Sequence, residues 1–550
     1  MRVARTARIA WTLALWAAHA HAKEWHVAPG GSGNGDAATP FGSIQAALDA
    51  AQAGDVVSVQ AGTYAESLKS VRAGTAAAPI TLRRAPGGGE VWVQKSATLF
   101  TLSHPYLVIE GLGFDGMYGA FDLVKVESGA TALVLRAVEV KRTTKDCVDM
   151  AAPADVLIEK SRIHHCLNAA GGQTDAHGIV GGPVKHLTVR ETEIHTFSGD
   201  ALQFDPGRQL PGWDDILVEG CELWTGPLPS AENGFAAGTV PGENAIDTKT
   251  NPAAPRAKLT VRRTRAHGFQ NGLISNMAAF NLKENVDALL DGVTVHDSEI
   301  AFRTRGPGSN GGAWVTIENA VVHDVAKAVR YEDDIEKLSV LSSTFGGGVA
   351  AAFQAASAPA TQADVRNLLV LGTALPAQAT AASNLATGAA SFVNAAAHDY
   401  HLAPGSPAID QGETIASVSD DHDGTPRPQG AQYDVGAYEY CTGAACGSSG
   451  AGGAGAGGLG GAATGGASSG GASSGGASSG GASSGGTSAA GASSGGAAAA
   501  SSGQSDSGDD GGCGCRIRDT SSAPASLAWL AFAGLGLRRR GFSSRRSPKG

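Results

Sequence analysis

The chain predicts an all-β solenoid, and three features of the sequence lead to that class. Strand-like openings recur: Leu107-Val-Ile-Glu-Gly, Leu133-Val-Leu-Arg-Ala, Val156-Leu-Ile-Glu-Lys, Leu187-Thr-Val-Arg-Glu, Ile216-Leu-Val-Glu-Gly, Leu259-Thr-Val-Arg-Arg, Ala288-Leu-Leu-Asp-Gly, Val315-Thr-Ile-Glu-Asn and Leu338-Ser-Val-Leu-Ser. Their starts lie 23 to 31 residues apart, with one gap of 43. A strand-bearing period of that size marks stacked coils, none of which buries its apolar face alone. A second alternating segment follows: Ala201-Leu-Gln203-Phe-Asp205, Ala245-Ile-Asp247-Thr-Lys249, Ala279-Phe-Asn281-Leu-Lys283, Ala301-Phe-Arg303-Thr-Arg305 and Ala328-Val-Arg330-Tyr-Glu332. Its period of two sends Ile246, Phe280 and Phe302 to a core and Asp247, Asn281, Arg303 and Arg330 outside.

Composition narrows the function classes. The 550 residues carry 41 Lys and Arg against 51 Asp and Glu, a net charge of −10. Nonspecific nucleic-acid binding needs a broad basic surface, so no nucleic-acid partner is expected. Against that acidic background, adjacent rungs bearing Lys249, Lys283, Arg303, Arg305 and Arg330 stand out.

Taken in order, residues 1–22 read as a secretory signal. Arg2, Arg5 and Arg8 precede an apolar run from Ile9 to Ala18 and an Ala20-His21-Ala22 cleavage site. Export and a disulfide-permitting compartment are expected. The 7 cysteines are too few for a disulfide scaffold; Cys441 and Cys446 are spaced to close a small loop, while Cys147, Cys166 and Cys221 cannot be paired from sequence. Residues 23–375 form the coil domain. A helix around Ser43 to Ala51, with Phe41, Ile44, Ala47 and Leu48 on one side, suits an N-terminal cap on the stack. Counted from the first residue of the opening, the ninth position in six of the nine coils is His164, His195, Trp224, His267, His296 or His323, a recurrence that fits a stacked structural column better than metal ligands. The gap of 43 is an insertion from Thr225 to Gly242, just ahead of the Asp247 rung, where it suits a wall beside a binding face. From about Gly346 the repeat fades, and residues 376–446 form a closing segment. In it Asp420-Asp-His-Asp423 fits either calcium or a hydrogen-bonded turn. A Gly/Ala/Ser linker follows over 447–512, a disordered tether, and then a tail over 513–550 with Cys513, Cys515, a short apolar run and Arg538-Arg-Arg540. That run is too short for a comfortable membrane span, so any membrane contact is expected only through the tail.

The coils, the Trp25 to Tyr64 opening and the Ala-Ile-Asp-Thr-Lys rung together resemble a right-handed parallel β-helix of the pectate lyase type, nearest to polysaccharide lyase family 9. The resemblance covers about residues 25 to 345. It implies a calcium-binding carboxylate cluster, carried over to Glu243, Asn244 and Asp247 with Asp200 or Asp205 from an earlier coil, and a lysine base at Lys283. Glu243 and Asn244 depart from the family's aspartates at those positions. Lyases of the chondroitinase B and alginate type are similar more loosely, pairing a lysine such as Lys249 or Lys283 with an arginine such as Arg303 or Arg305. Segment 406–439 resembles the closing segment of choice-of-anchor proteins, and the tail resembles a myxobacterial surface-sorting signal.

β-Elimination from a uronate needs its carboxylate neutralised and a base for the adjacent proton. Lys283, flanked by Lys249 and Arg305, stands where like charge disfavours protonation. The expected function is a surface-anchored, monomeric lyase acting on an acidic polysaccharide such as pectate. Lys283, Lys249 and Arg303 carry the chemistry, Arg305, Asn281 and Arg330 bind substrate, and Ca2+ is the cofactor. A noncatalytic glycan-binding or adhesive protein is the first alternative, and a salt-bridged outer face would account for the same charges. A glycoside hydrolase using Asp200 and Asp205 is the second. For Asp175 and His177, in Thr-Asp-Ala-His-Gly, a turn is favoured over a metal site; Asp146 and Asp149 stay open.

Overall fold

The computed structural model describes residues 22–441, apart from 309, 334 and 357–362. The signal, linker and tail segments and Cys446 lie outside the described residues.

The described chain winds into a parallel β-solenoid. Each coil contributes in turn to a first sheet of 13 strands, a second of 13 and a third of 11, and every pairing within these sheets is parallel. The recurrent openings form the first sheet, as in Lys185–Arg190, Asp214–Glu219 and Ala257–Arg262. The residues after each opening turn the chain into the second sheet, and here the backbone adopts positive φ at Lys160, Glu191, Gly220, Arg263 and Asn319. Glycine or asparagine suits that conformation, which is why the openings often end on one. The alternating segments form the third sheet, including Leu202–Phe204, Asn244–Thr248, Ala278–Leu282, Ser298–Arg305 and Val325–Glu332.

Register fixes what each residue faces. Leu202, Ile246, Phe280, Phe302 and Val329 are successive partners and wholly buried. Phe280 and Phe302 stack at 5.7 Å with planes 10° apart, so stacking reinforces the coil pairing in the core.

The expected N-terminal helix spans Ile44–Ala50, with Ile44, Ala47 and Leu48 buried and Ser43 Oγ accepting from the Ala46 N–H at 3.2 Å. Coils start earlier than the repeat suggested, at Glu24–Val27, and they continue past Gly346. Ala351–Ala355, Ala363–Arg366 and Leu369–Leu371 complete another turn, and Leu385–Thr387 adds a strand inside the segment taken as closing. The inward residues Phe353, Val365 and Val370 still pair with Val329, Val340 and Phe345, although alanines around them blur the pattern.

Beyond that, Phe392, Tyr400, Leu402, Val435 and Ala437 form one buried cluster with Val321 and Leu369 of the coils. Arg427 and Glu439 pair at 2.7 Å with neither side chain exposed. Asp421 accepts the N–H groups of Asp423, Thr425 and Glu439, so the Asp420 to Asp423 stretch is a hydrogen-bonded turn. Cys147 and Cys166 form a disulfide, and Cys221 is free and buried.

Candidate active site

The outer face of the third sheet carries three columns of side chains. Relative to the inward residues Ile179, Leu202, Ile246, Phe280 and Phe302, the position one further on gives Val180, Gln203, Asp247, Asn281, Arg303 and then Arg330. Three further on come Asp205, Lys249, Lys283 and Arg305. Two residues before the inward positions lie Asp146, His177, Asp200 and Asn244, tied by backbone bonds from Cys147 N to His177 O, Gly178 N to Asp200 O and Ala201 N to Asn244 O. The expected column of Asp247, Asn281, Arg303 and Arg330 is therefore present.

At one end the columns make an acidic cluster. Asp200 Oδ1 accepts from Asn244 N and Nδ2 at 3.1 and 2.8 Å, and its Oδ2 accepts from Gln203 Nε2 at 2.8 Å. His177 Nδ1 lies 2.8 Å from Asp146 Oδ1, while its Nε2 faces Asp200 Oδ2 at 3.7 Å and Asp175 Oδ2 at 4.0 Å. Gln173 Nε2 reaches Glu243 at 3.4 Å. Burial, then the neighbouring Asp247, pushes the Asp200 carboxyl up to about 6. Burial, then Asp200 and Asp175, pushes Glu243 up to about 8. Burial acts to lower His177, but Asp146, Asp200 and Asp175 outweigh it and hold the imidazole at about 9.

Asp247 is the hinge between the acidic and basic halves. It accepts from Asn281 Nδ2 at 2.9 Å and lies 3.1 Å from Lys283 Nζ and 3.6 Å from Lys249 Nζ. Lys283 thus meets the carboxylate that lies diagonally across in the neighbouring column, the contact a salt-bridged outer face would make, beside the like charge of its own column. Burial acts to lower Lys249, but Asp247 and Asp200 outweigh it and raise its pKa.

At the other end three guanidinium groups converge on Glu332. Arg303 holds it through Nε and Nη2 at 3.0 and 3.2 Å, Arg330 through Nε at 2.8 Å, and Arg305 lies 3.4 Å away and also reaches Asp333 at 3.2 Å. Burial acts to raise Glu332, and the arginines overcome it.

Asp205 stands apart. It is wholly buried, accepts from Gln209 N at 2.9 Å, and neighbours the Arg208–Glu284 pair rather than Asp200. The left-handed backbone at Asp205 ends the rung and turns its side chain away from the cluster. The insertion from Thr225 packs Leu228 and Phe235 on Leu167 and Tyr118, and Asn233 donates to Leu167 O at 2.6 Å, placing it against the coils below the acidic end.

The acidic end fits a hard dication in donor type and in charge: Asp200, Glu243 and Asp247 offer carboxylate oxygens with Asn244 beside them, and the raised pKa values of Asp200 and Glu243 mark burial and a crowding of negative charge. These donors are spaced more widely than a closed ligand shell. His177, Asp175, Gln203 and Glu332 were not assigned to the site from sequence. The signal for His177 is its position two residues before an inward apolar residue, shared with Asp146 and Asp200.

No protein-family model matches the chain. No curated protein matches it either. Among solved structures, pectate lyase Pel9A is similar over 76% of this chain and 96% of that one, at 15% identity and a TM-score of 0.45. A rhamnogalacturonan lyase is similar over 63% and 87%, at 14% identity and 0.43. A GH87 alpha-1,3-glucanase from Streptomyces thermodiastaticus is similar over 66% and 67%, at 14% identity and 0.38. Fold-level neighbours thus include both lyases and hydrolases.

Proposed function

We propose that this chain is a polysaccharide lyase that cleaves a uronate-containing polymer by β-elimination. The observation that carries the reading is the juxtaposition around Asp247: a buried carboxylate cluster on one side, Lys249 and Lys283 at its centre, and Arg303 and Arg330 continuing the same outward column. A polyanion laid along that column meets cations on successive coils, roughly 4.8 Å apart.

Lys283 is the base. Its Nζ takes the proton alpha to the uronate carboxylate, the electron pair left behind forms the double bond, and the glycosidic oxygen leaves and takes a proton from water. The step needs the Nζ lone pair, so the contact with Asp247 at 3.1 Å has to loosen when substrate binds. Lys249 stays a cation and stabilises charge as the enolate develops. Arg303 and Arg330 orient the next anionic groups, which compete with Glu332 for the guanidinium faces; Asn281 lines the same column, and Arg305 lines the neighbouring column of Lys283. Asp200, Glu243, Asn244 and Asp247 would hold calcium, with Asp205 outside that set. Calcium there supplies neutralisation of a substrate carboxylate.

Export and surface tethering belong to the same proposal. The Arg-rich start with its apolar run and the Cys147–Cys166 disulfide support an oxidising destination.

A hydrolase is the second reading, favoured by Glu243, a carboxyl that burial and its acidic neighbours keep protonated near neutral pH. Incubation with pectate, alginate and other uronate polymers separates the two. Unsaturated product supports the lyase; new reducing ends without unsaturation support the hydrolase.

A further inference from the structure

The imidazoles after the first-sheet openings stack along the second sheet, His267 on His296 at 4.7 Å and His296 on His323 at 4.9 Å. Repetition explains those rings as packing. It does not explain the next one. His398 belongs to no coil repeat; it arrives from the closing segment, after the turn Ala395–Ala397, and stacks on His323 at 4.1 Å.

That arrival completes a cluster of a different kind. His323 Nδ1 lies 2.8 Å from Asp324 Oδ2, and His398 Nε2 lies 3.5 Å from the same oxygen. Among the described residues this is the one His, Cys, Asp and Glu trio whose ligand atoms all fall within 4.8 Å of one another. The carboxylate is seated on bare backbone: a Cβ at Gly348 would stand 2.1 Å from Asp324 Oδ1. The far nitrogen of His398, Nδ1, lies 3.2 Å from the Tyr400 hydroxyl, which itself accepts from Gly347 N at 2.9 Å. Metal-ligating imidazoles characteristically have their second nitrogen held in this way.

We propose that His323, Asp324 and His398 form a site for a borderline divalent metal, zinc foremost, which ties the closing segment to the coils. Two imidazoles and one carboxylate suit zinc rather than calcium, and they leave a fourth position for water. His323 is buried, whereas 45% of the His398 side chain is exposed, so the ion reaches the trio from the His398 side. The site lies on the second sheet, away from the column of Lys283, and does not depend on the lyase reading.

Metal-stripped full-length protein is titrated with Zn2+ by calorimetry and with Co2+ by visible absorption, beside His398→Gln and His401→Gln. The second variant removes a separate histidine that bridges Asp399 and Asp423. One tight site is expected in the wild type and in His401→Gln. In His398→Gln affinity falls by at least about 10-fold and the Co2+ band is lost. Zn2+ raises the wild-type Tm by about 2–4 °C, Ca2+ does not, and metal-free His398→Gln melts where the metal-free wild type does. Absence of a tight site in the wild type overturns the proposal. So does a site untouched by His398→Gln or removed by His401→Gln.

Discussion

Lys283 sits with its Nζ 3.1 Å from Asp247, and that contact decides how the site is read at the level of single residues. Asp247 is buried, but Lys249 at 3.6 Å keeps it paired when Lys283 is removed, so the removal separates a structural role from a chemical one. Lys283→Ala is expected to lower turnover of a uronate polymer by about 10²–10⁴-fold while the Tm stays close to wild type. Equal losses of activity and folded protein would show the pair to be structural. The period of two made the column Asp247, Asn281, Arg303 and Arg330 legible in advance. It also set Asp247 diagonally near Lys283, but it could not show that Lys249 leans across as well, or that three arginines gather on Glu332, because side-chain direction across columns is set by packing and charge in three dimensions. His177 escaped because Thr-Asp-Ala-His-Gly has no alternation of its own; only its register against Asp146 and Asp200 places it.

Elements carry the stability of the stack. Phe280 is wholly buried between coils and stacked on Phe302, so Phe280→Ala is expected to cost about 3–5 kcal/mol in urea unfolding. The histidine column of the second sheet adds a pH dependence. Burial, then the adjacent His164, Arg162 and His165, lowers His195 to about 2, whereas an unfolded histidine titrates near 6.5. Below that value the unfolded chain binds a proton that the folded His195 refuses. The stabilisation is therefore complete above about pH 6.5 and drains away as pH falls toward 2. Tm measured from pH 7.5 to 5 should drop, and the drop should be shallower in His195→Gln. A Tm independent of pH in both proteins contradicts a neutral, buried column. Recurrence at the ninth coil position revealed this column from sequence; the ring from His398 was invisible there, since it comes from outside the repeat.

For the whole molecule, the repeat spacing and the alternating rungs made the solenoid plain, and the coils then ran further in both directions than the spacing suggested. Alanine-rich sequence after Gly346 hides its strands because alanine fills either face, and only Phe353, Val365 and Val370 keep the inward register. The closing segment is held by a buried pair, Arg427 with Glu439 at 2.7 Å. Leaving one partner uncompensated there should cost about 3–5 kcal/mol. Arg427→Ala is accordingly expected to open residues beyond Tyr400 to protease at temperatures where the coils resist it.

Catalysis is tested most directly by incubating the protein with a panel of uronate polymers, with and without calcium, and following the absorbance of unsaturated ends against Lys283→Ala. A rise with at least one polymer that vanishes in the folded variant is the expected outcome. No unsaturated product from any polymer under either condition, or an equal rate in Lys283→Ala, contradicts it.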